Sequence, residues 1–256
     1  MPRFAANLTM MFNEWSFLDR FAAAADAGFT AVEFLFPYEH EPAAIAEALR
    51  RHDLELALFN MPPGDWTAGE RGLAALPTRF EDVRTGVAQA LDYGLAAGAR
   101  RMHLMAGIAP AASSQARSAF ERAVRFVAEA LQPHRIDVVL EPINPRDMPG
   151  YFLNDFTVAA ELIHRLALPN LKLQFDIYHR QIIHGDVIRG LEALMPIIGH
   201  VQVASVPARN EPGTGELDDG RIFDTLDALG YEGYVGCEYR PRGGTLDGLS
   251  WLAAKL

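Results

Sequence analysis

The chain has 256 residues, of which 50% are hydrophobic and 22% are charged, a composition typical of globular proteins. Its 33 acidic and 23 basic residues give a formal charge of −10, which argues against nucleic-acid partners, because such partners need a basic surface. The sequence shows no apolar run long enough for a membrane helix and no signal-peptide pattern. The single cysteine, Cys237, excludes an internal disulfide. We therefore expect a cytoplasmic protein with neither nucleic-acid nor membrane partners.

Short apolar runs alternate with longer amphipathic stretches along the chain. The runs are typical of strands that are buried on both faces. They predict eight strands: Phe4–Phe12, Ala31–Phe36, Glu55–Met61, Arg101–Gly107, Asp137–Asn144, Leu171–His179, His200–Val206 and Tyr234–Tyr239. Helical spacing and capping residues predict a helix after each strand. These helices are Trp15–Ala27, Pro42–His52, Thr78–Ala97, Ser113–Leu131, Asn154–Leu166, Gly185–Ile198, Asp218–Leu229 and Leu246–Leu256.

The regular alternation of strand and helix predicts parallel strands with right-handed crossovers. Eight such units in a chain of this length predict an α/β fold, a closed (β/α)8 TIM barrel that forms one domain over residues 1–256. An open doubly wound sheet is the alternative. It loses support because no Gly-x-Gly-x-x-Gly motif follows the first strand, so the dinucleotide-binding signature is missing.

The longest irregular stretch between predicted elements is Pro62–Pro77, which follows the third strand. Loops of this length in compact domains are more often functional than idle. In a barrel, a loop that follows a strand lies on the face that carries the active site. We therefore expect this loop to contribute to a binding site.

Four successive predicted strands each carry an oxygen-bearing side chain late in the apolar run: Glu141, Asp176, Gln202 and Glu238. Catalytic groups of barrels project from these strand ends. One such residue alone would more often be an outward-facing or salt-bridged side chain, so the repetition is what favours a shared site. Three converging carboxylates would repel one another unless a cation lay among them. The set therefore predicts a site for a hard divalent cation, magnesium or manganese rather than zinc.

Other polar residues of the predicted strands are harder to interpret. Glu33 and His103 occupy related places on the second and fourth strands, and each could bind substrate or form hydrogen bonds in the core. Cys237 precedes Glu238, so strand alternation points its side chain to the opposite face. We expect this cysteine to be a core residue and not a nucleophile.

Five segments carry a resemblance to a known family, in this order: Glu141-Pro142-Ile143-Asn144, Phe175-Asp176-Ile177-Tyr178-His179, His200-Val201-Gln202-Val203, Pro212-Gly213-Thr214-Gly215-Glu216 and Gly236-Cys237-Glu238-Tyr239. Together they resemble the hydroxypyruvate isomerase family, with its 2-oxo-tetronate isomerase relatives, in the xylose-isomerase-like barrel superfamily. The resemblance covers essentially the whole chain.

The resemblance implies a role for each matching residue. Glu141, Asp176, Gln202 and Glu238 would form the metal shell, and Glu141 and Glu238 would also be the proton donor and acceptor pair. Related ketose epimerases usually carry histidine at the position of Gln202. The hydroxypyruvate isomerase branch carries glutamine there, as this chain does. His179 matches a substrate-binding histidine of the superfamily, and Arg209 is a looser match for a residue facing the substrate.

The implied reaction interconverts hydroxypyruvate and 2-hydroxy-3-oxopropanoate (tartronate semialdehyde) through an enediol, with Arg209, Arg240 or Lys172 holding the substrate carboxylate. An isomerase of 2-oxo-tetronate or an epimerase of a ketose or sugar acid is the alternative. An endonuclease IV-like phosphodiesterase and a non-catalytic binding barrel are less favoured. The expected partner is a small 2-oxo acid or sugar acid, and a homo-oligomer stays open.

Overall fold

The computed structural model describes residues 2–253. Eight parallel strands form a closed barrel in chain order, and the last strand pairs with the first. The strands are β1 (Arg3–Asn7), β2 (Ala31–Phe34), β3 (Glu55–Asn60), β4 (Arg101–His103), β5 (Asp137–Leu140), β6 (Leu171–Asp176), β7 (Ile198–Gln202) and β8 (Tyr234–Cys237). The predicted TIM barrel is thereby confirmed.

Nine α-helices occur in the described part of the chain: α1 (Asp19–Asp26), α2 (Pro42–Arg51), α3 (Phe80–Ala97), α4 (Ser114–Leu131), α5 (Phe156–Leu166), α6 (Ile177–Ile183), α7 (Val187–Leu194), α8 (Asp219–Ala228) and α9 (Ser250–Ala253). Short 3₁₀ turns lie at Gln132–His134, Met195–Ile197 and Leu246–Gly248. Within residues 2–253, no helix is both long and apolar enough to cross a membrane.

Local sequence sets several helix boundaries. The Ser113 side chain accepts a hydrogen bond from the backbone of α4, and Asp155 accepts two from the first turn of α5. These contacts satisfy N–H groups that a helix start otherwise leaves without partners. Gly98 ends α3 in the left-handed conformation, at φ 67°, which glycine adopts without steric cost.

Several strands end earlier than their apolar runs predict. β1 ends at Asn7 because the Asn7 side chain accepts hydrogen bonds from the backbone of Thr9 and Met10, which turns the chain. β6 ends at Asp176, and the predicted continuation to His179 is instead the first turn of α6. The predicted strand Leu171–His179 is therefore wrong in its last three residues, because an apolar run indicates burial and not extended backbone.

Two further predictions concern Cys237 and the C-terminal segment. Cys237 is buried and free, which confirms its predicted place in the core. Of the predicted terminal helix Leu246–Leu256, the structure has a 3₁₀ turn and α9, and residues 254–256 lie outside the described part.

Candidate active site

A cavity of 570 Å³ opens where the strands end. Glu141 directly follows β5, Glu238 directly follows β8, and both line the cavity with His179 from the first turn of α6. The Pro62–Pro77 loop adds Trp66 and Arg71 to the wall. The cavity thus lies on the face that the barrel fold reserves for active sites.

A cluster of four buried titratable side chains lies at this end of the barrel. Glu141, Asp176, His179 and Glu238 each offer a ligand atom, and these atoms lie within 4.8 Å of one another. Glu141 Oε1 and Asp176 Oδ2 have no hydrogen-bond partner in residues 2–253. Buried carboxylate oxygens without partners are costly, so the donor set fits a hard divalent cation that would satisfy them.

Burial raises the pKa values of the three carboxyl groups, and repulsion between carboxylates adds to the shift for Glu141 and Glu238. Burial, followed by the charges of Glu238 and Asp176, raises the pKa of Glu141 well above its ordinary value. Burial raises the pKa of Glu238 to about 8, although Arg209 opposes the shift. Burial also raises the pKa of Asp176, against the effect of Arg209. Without a cation, burial therefore favours the protonated form of Glu238 near neutral pH and shifts Glu141 and Asp176 in the same direction.

Asp176 has two separate tasks, one for each carboxyl oxygen. Oδ1 accepts hydrogen bonds from the backbone N–H groups of Tyr178 at 2.7 Å and His179 at 3.3 Å, and so caps α6. Oδ2 lies 3.7 Å from His179 Nε2 and 3.7 Å from the Arg209 guanidinium. The cap fixes the carboxyl group and aims its second oxygen into the cluster.

Asn144 determines which nitrogen of His179 carries the proton. The Asn144 Oδ1 accepts from two backbone N–H groups of the following turn, so its Nδ2 faces His179 Nδ1 at 2.7 Å. Because Nδ1 accepts this hydrogen bond, the proton lies on Nε2, 3.8 Å from Glu141 Oε1. Burial lowers the pKa of His179 well below its ordinary value, which keeps the ring neutral. His179 can therefore donate a hydrogen bond into the site, which suits the predicted substrate contact.

Glu33 and Gln202 lie in a second buried polar group. Gln202 Oε1 accepts from Gln174 Nε2 at 2.6 Å, and Gln202 Nε2 donates to Glu33 at 2.8 Å. Glu33 also accepts from Asn7 at 2.9 Å and from His200 at 2.7 Å. Neither Glu33 nor Gln202 lines the cavity. The structure thus brings these two predicted site residues to each other, beside the carboxylate cluster.

His103 lines the cavity and faces the cluster. Its Nδ1 lies 3.7 Å from Glu141 Oε2, and neither ring nitrogen has a hydrogen-bond partner among the described residues. Burial, with His200 nearby, lowers the pKa of His103 to about 3, so the ring is neutral. A neutral ring with both nitrogens unpartnered is available to a ligand, which is one of the two roles that the sequence leaves open for His103.

Arg209 is surrounded by carboxylates of the protein. Its Nη2 donates to Glu238 Oε2 and lies 3.7 Å from Asp176 Oδ2, while its Nη1 lies 3.4 Å from Asp147. The guanidinium also lies over the ring of Tyr178, 4.9 Å from its centroid. Arg209 lines the cavity as predicted, but its charge is already balanced, so its main contact is with Glu238.

Two residues of the cavity wall are not identified as site residues by the sequence. Arg71 and Trp66 lie in the loop that was predicted to be functional, and loop length was their only signal. Of the other proposed cations, Arg240 lines the cavity, whereas Lys172 lies near the start of β6 and does not.

Comparisons with known proteins identify the family of the chain. A family model described as xylose isomerase-like TIM barrel matches residues 21–255. The 2-oxo-tetronate isomerase of Cupriavidus necator is 52% identical over 98% of both chains, and the hydroxypyruvate isomerase of Escherichia coli is 41% identical over 98% of both. A crystal structure from Brucella melitensis, described as an AP endonuclease of family 2, is 49% identical over 99% of both chains, with a TM-score of 0.97. The chain therefore belongs to the xylose isomerase-like TIM barrel family, and within it to the 2-oxo-tetronate and hydroxypyruvate isomerases.

Proposed function

We propose that the protein interconverts hydroxypyruvate and 2-hydroxy-3-oxopropanoate by moving a carbonyl between adjacent carbons through an enediol. The observation that carries the proposal is the pair Glu141 and Glu238, which line one cavity and have raised pKa values. Carboxyl groups whose pKa lies near the working pH both accept and return protons efficiently. Such a pair is what a shift of hydrogen between two carbons requires.

Each residue of the site has a role in this reaction. One of the two glutamates removes a proton from the carbon that bears the hydroxyl group, and the other returns a proton to the neighbouring carbon. The proton of the substrate hydroxyl group passes to the former carbonyl oxygen, so the carbonyl changes place without loss or gain of atoms. Because the reaction is reversible, the direction decides which one acts first. The Nε2–H of His179 donates a hydrogen bond to a substrate oxygen, and Arg209 holds the Glu238 carboxylate in place.

A divalent cation fits the oxygen-rich donor set of this site. Glu141, Asp176 and Glu238 would hold it, and magnesium or manganese suits such donors. Gln202, which the sequence predicts as the fourth ligand, instead binds Gln174 and Glu33 through its amide group and does not line the cavity. His179 is close enough to ligate, but its Nε2 carries the ring proton, so it serves as a donor. When bound, the cation stabilises the negative charge that develops on the substrate oxygens.

A second candidate substrate is 2-oxo-tetronate. It is favoured by the Cupriavidus necator relative, which is named for it and is 52% identical to this chain. The cavity of 570 Å³ also has room for more than three carbon atoms. The same two glutamates would serve both substrates, because the reacting atoms are the same.

The test is to incubate the purified protein with hydroxypyruvate and, separately, with 2-oxo-tetronate in deuterium oxide, with manganese and after chelation. We expect isomerisation with deuterium incorporation at the reacting carbons, and the larger kcat/KM identifies the better substrate. The Glu238→Gln variant, checked for folding, is the control and should lose the exchange. A folded wild-type protein that exchanges neither substrate but cleaves DNA at abasic sites would contradict the proposal.

A further inference from the structure

We propose that Arg71 binds the carboxylate of the substrate and makes the site selective for acids over neutral sugars. This inference rests on the proposed function, because it names the group that recognises the acid. Arg71 lies in the Pro62–Pro77 loop and lines the same cavity as Glu141 and Glu238. It is half-buried, so its side chain is neither free in solvent nor part of the core.

The protein holds the Arg71 guanidinium by one nitrogen and one face. Nη1 donates to the backbone carbonyls of Trp66 at 3.0 Å and Glu70 at 2.7 Å. The guanidinium carbon lies 3.9 Å from the centroid of the Trp66 ring, a cation–π distance. In residues 2–253, no acceptor contacts Nε or Nη2, and no carboxylate pairs with the side chain. One edge of the fork thus stays available for a carboxylate, which an arginine edge binds with two hydrogen bonds.

The residues on both sides of Arg71 are fixed to the rest of the fold. The Glu70 carboxylate accepts from the Arg79 guanidinium and, at 2.6 Å, from the Asp65 backbone. Gly72 forms an antiparallel bridge with Ala106, beyond the end of β4. Gly72 has φ +105°, and a Cβ there would lie 2.4 Å from a backbone oxygen, so only glycine permits the approach. A loop held at both neighbours gives Arg71 a defined position before substrate binds.

The other arginines of the cavity are less suited to this task. Arg209 is already paired with Glu238 and lies near Asp147. Arg240 is exposed, and its guanidinium has no hydrogen bond or ion pair in the described part of the chain. Arg71 therefore combines an unbalanced charge with a fixed position. This combination would draw an acid group to the loop and leave the reacting carbons for Glu141 and Glu238.

Binding of an unreactive acid tests the inference without turnover. Glycerate resembles the substrate but has no carbonyl, and glyceramide is its neutral counterpart. We would titrate both by calorimetry, at one manganese concentration, into the wild-type protein and the Arg71→Gln, Arg71→Lys and Arg240→Gln variants. We expect the Arg71→Gln variant to bind glycerate about 10- to 150-fold more weakly, which is the range for a hydrogen-bonded charge pair, and glyceramide about as well as the wild type does.

The remaining variants sharpen the result. We expect Arg71→Lys to show a partial loss, because lysine keeps the charge without the fork, and Arg240→Gln to stay within about threefold of the wild type. With hydroxypyruvate as substrate, Arg71→Gln should raise KM much more than it lowers kcat. An equal loss for glycerate and glyceramide, an equal loss in Arg240→Gln, or a wild-type protein that does not bind glycerate would overturn the inference.

The experiment separates this inference from the proposed function. If the wild-type protein binds glycerate through Arg71 but does not isomerise either 2-oxo acid, the carboxylate site stands and the proposed reaction fails. If the wild-type protein isomerises hydroxypyruvate and Arg71→Gln retains its KM and its preference for glycerate, the reaction stands and the role of Arg71 fails.

Discussion

Two groups of buried polar side chains lie in the barrel, and they differ in whether their carboxyl oxygens have hydrogen-bond partners in the described residues. In the inner group, Glu33 accepts hydrogen bonds from Asn7, His200 and Gln202, and Gln202 accepts one from Gln174. Both oxygens of the Glu33 carboxyl group therefore have partners. These contacts join β1, β2, β6 and β7 across the interior.

The outer group uses the same kinds of residue but leaves oxygens without partners. Glu141 Oε1 and Asp176 Oδ2 lack hydrogen bonds in the described residues, and burial, followed by repulsion from neighbouring carboxylates, raises the pKa of Glu141 and Glu238. Within residues 2–253, the inner group also has unpartnered atoms, Gln174 Oε1 and His200 Nδ1, but its carboxyl oxygens all have partners. A buried carboxyl oxygen with protein partners stabilises the fold, whereas one without a partner favours a bound cation. Residue type does not separate the two groups, since each contains glutamate and histidine on or just beyond a strand. The hydrogen bonds separate them.

The largest effect that we expect from this contrast is on catalysis. Glu141→Gln keeps the shape of the side chain but removes its ability to accept and return a proton. We expect kcat for isomerisation to fall by about 10²- to 10⁴-fold, the usual contribution of an acid–base group. The melting temperature of the metal-free protein should not fall, because the amide is neutral and burial already favours the neutral form of the carboxyl group that it replaces.

Turnover of hydroxypyruvate and thermal unfolding check this prediction together. The matched control is Glu33→Gln, which makes the same chemical change in the inner group and should affect kcat much less. A folded Glu141→Gln protein with nearly wild-type kcat would show that the outer glutamate does not transfer protons.

The next effect concerns the response of each group to a cation. Manganese should stabilise the wild-type protein, by about 2.7 kcal/mol when its concentration is one hundred times its Kd. We expect Asp176→Asn to lose most of this stabilisation, because Asp176 Oδ2 is one of the unpartnered oxygens of the cluster. Unfolding followed with and without manganese measures the difference. Glu33→Gln should retain the stabilisation, and an equal loss in both variants would abolish the distinction between the groups.

A smaller effect on stability should arise from the inner group. Glu33→Gln replaces an acceptor oxygen with an amide nitrogen, so one of the donors from Asn7, His200 and Gln202 loses its partner. We expect the free energy of unfolding to fall by about 1–3 kcal/mol, the cost of one unsatisfied buried group, with or without manganese. Denaturant unfolding in both conditions measures it. A loss that manganese reverses would place Glu33 in the cation site.

Much of this architecture could be predicted from the sequence because it depends on local patterns. Eight apolar runs between amphipathic stretches predict the barrel, and Glu141 and Glu238 stand out because they are carboxylates at the ends of such runs. The different roles of His179 and Gln202 could not be predicted from local patterns. They depend on the hydrogen bonds of Asn144 and Gln174, and these contacts exist only after the strands have closed into a barrel.

The position of Arg71 in the cavity could not be predicted from the sequence for the same reason. Its place in the cavity depends on the stacking with Trp66 and on the bridge between Gly72 and Ala106. Ala106 lies far along the chain, so no periodicity near Arg71 signals the contact. Length alone marked the loop as functional, and length does not identify which of its residues contact a ligand.

We also expect the stability of the metal-free protein to depend on pH. The pKa of Glu238 is about 8 in the folded protein, against an ordinary value of 4.5. Between these values, the folded protein binds a proton that the unfolded chain releases, so the free energy of unfolding falls as pH rises. The slope for one group is at most about 1.4 kcal/mol per pH unit, and it disappears above pH 8. Glu141 is shifted in the same direction and adds to the fall.

Denaturant midpoints of the chelated protein at pH 5, 6, 7 and 8 measure this slope. Glu238→Gln has no proton to lose, so its stability should depend less steeply on pH than that of the wild type. Saturating manganese should reverse the trend, because the cation competes with protons for the same oxygens. Equal slopes in the wild type and Glu238→Gln would mean that Glu238 does not retain its proton in the folded protein. The unpartnered oxygens of the outer group would then not reflect an unfavourable burial of charge.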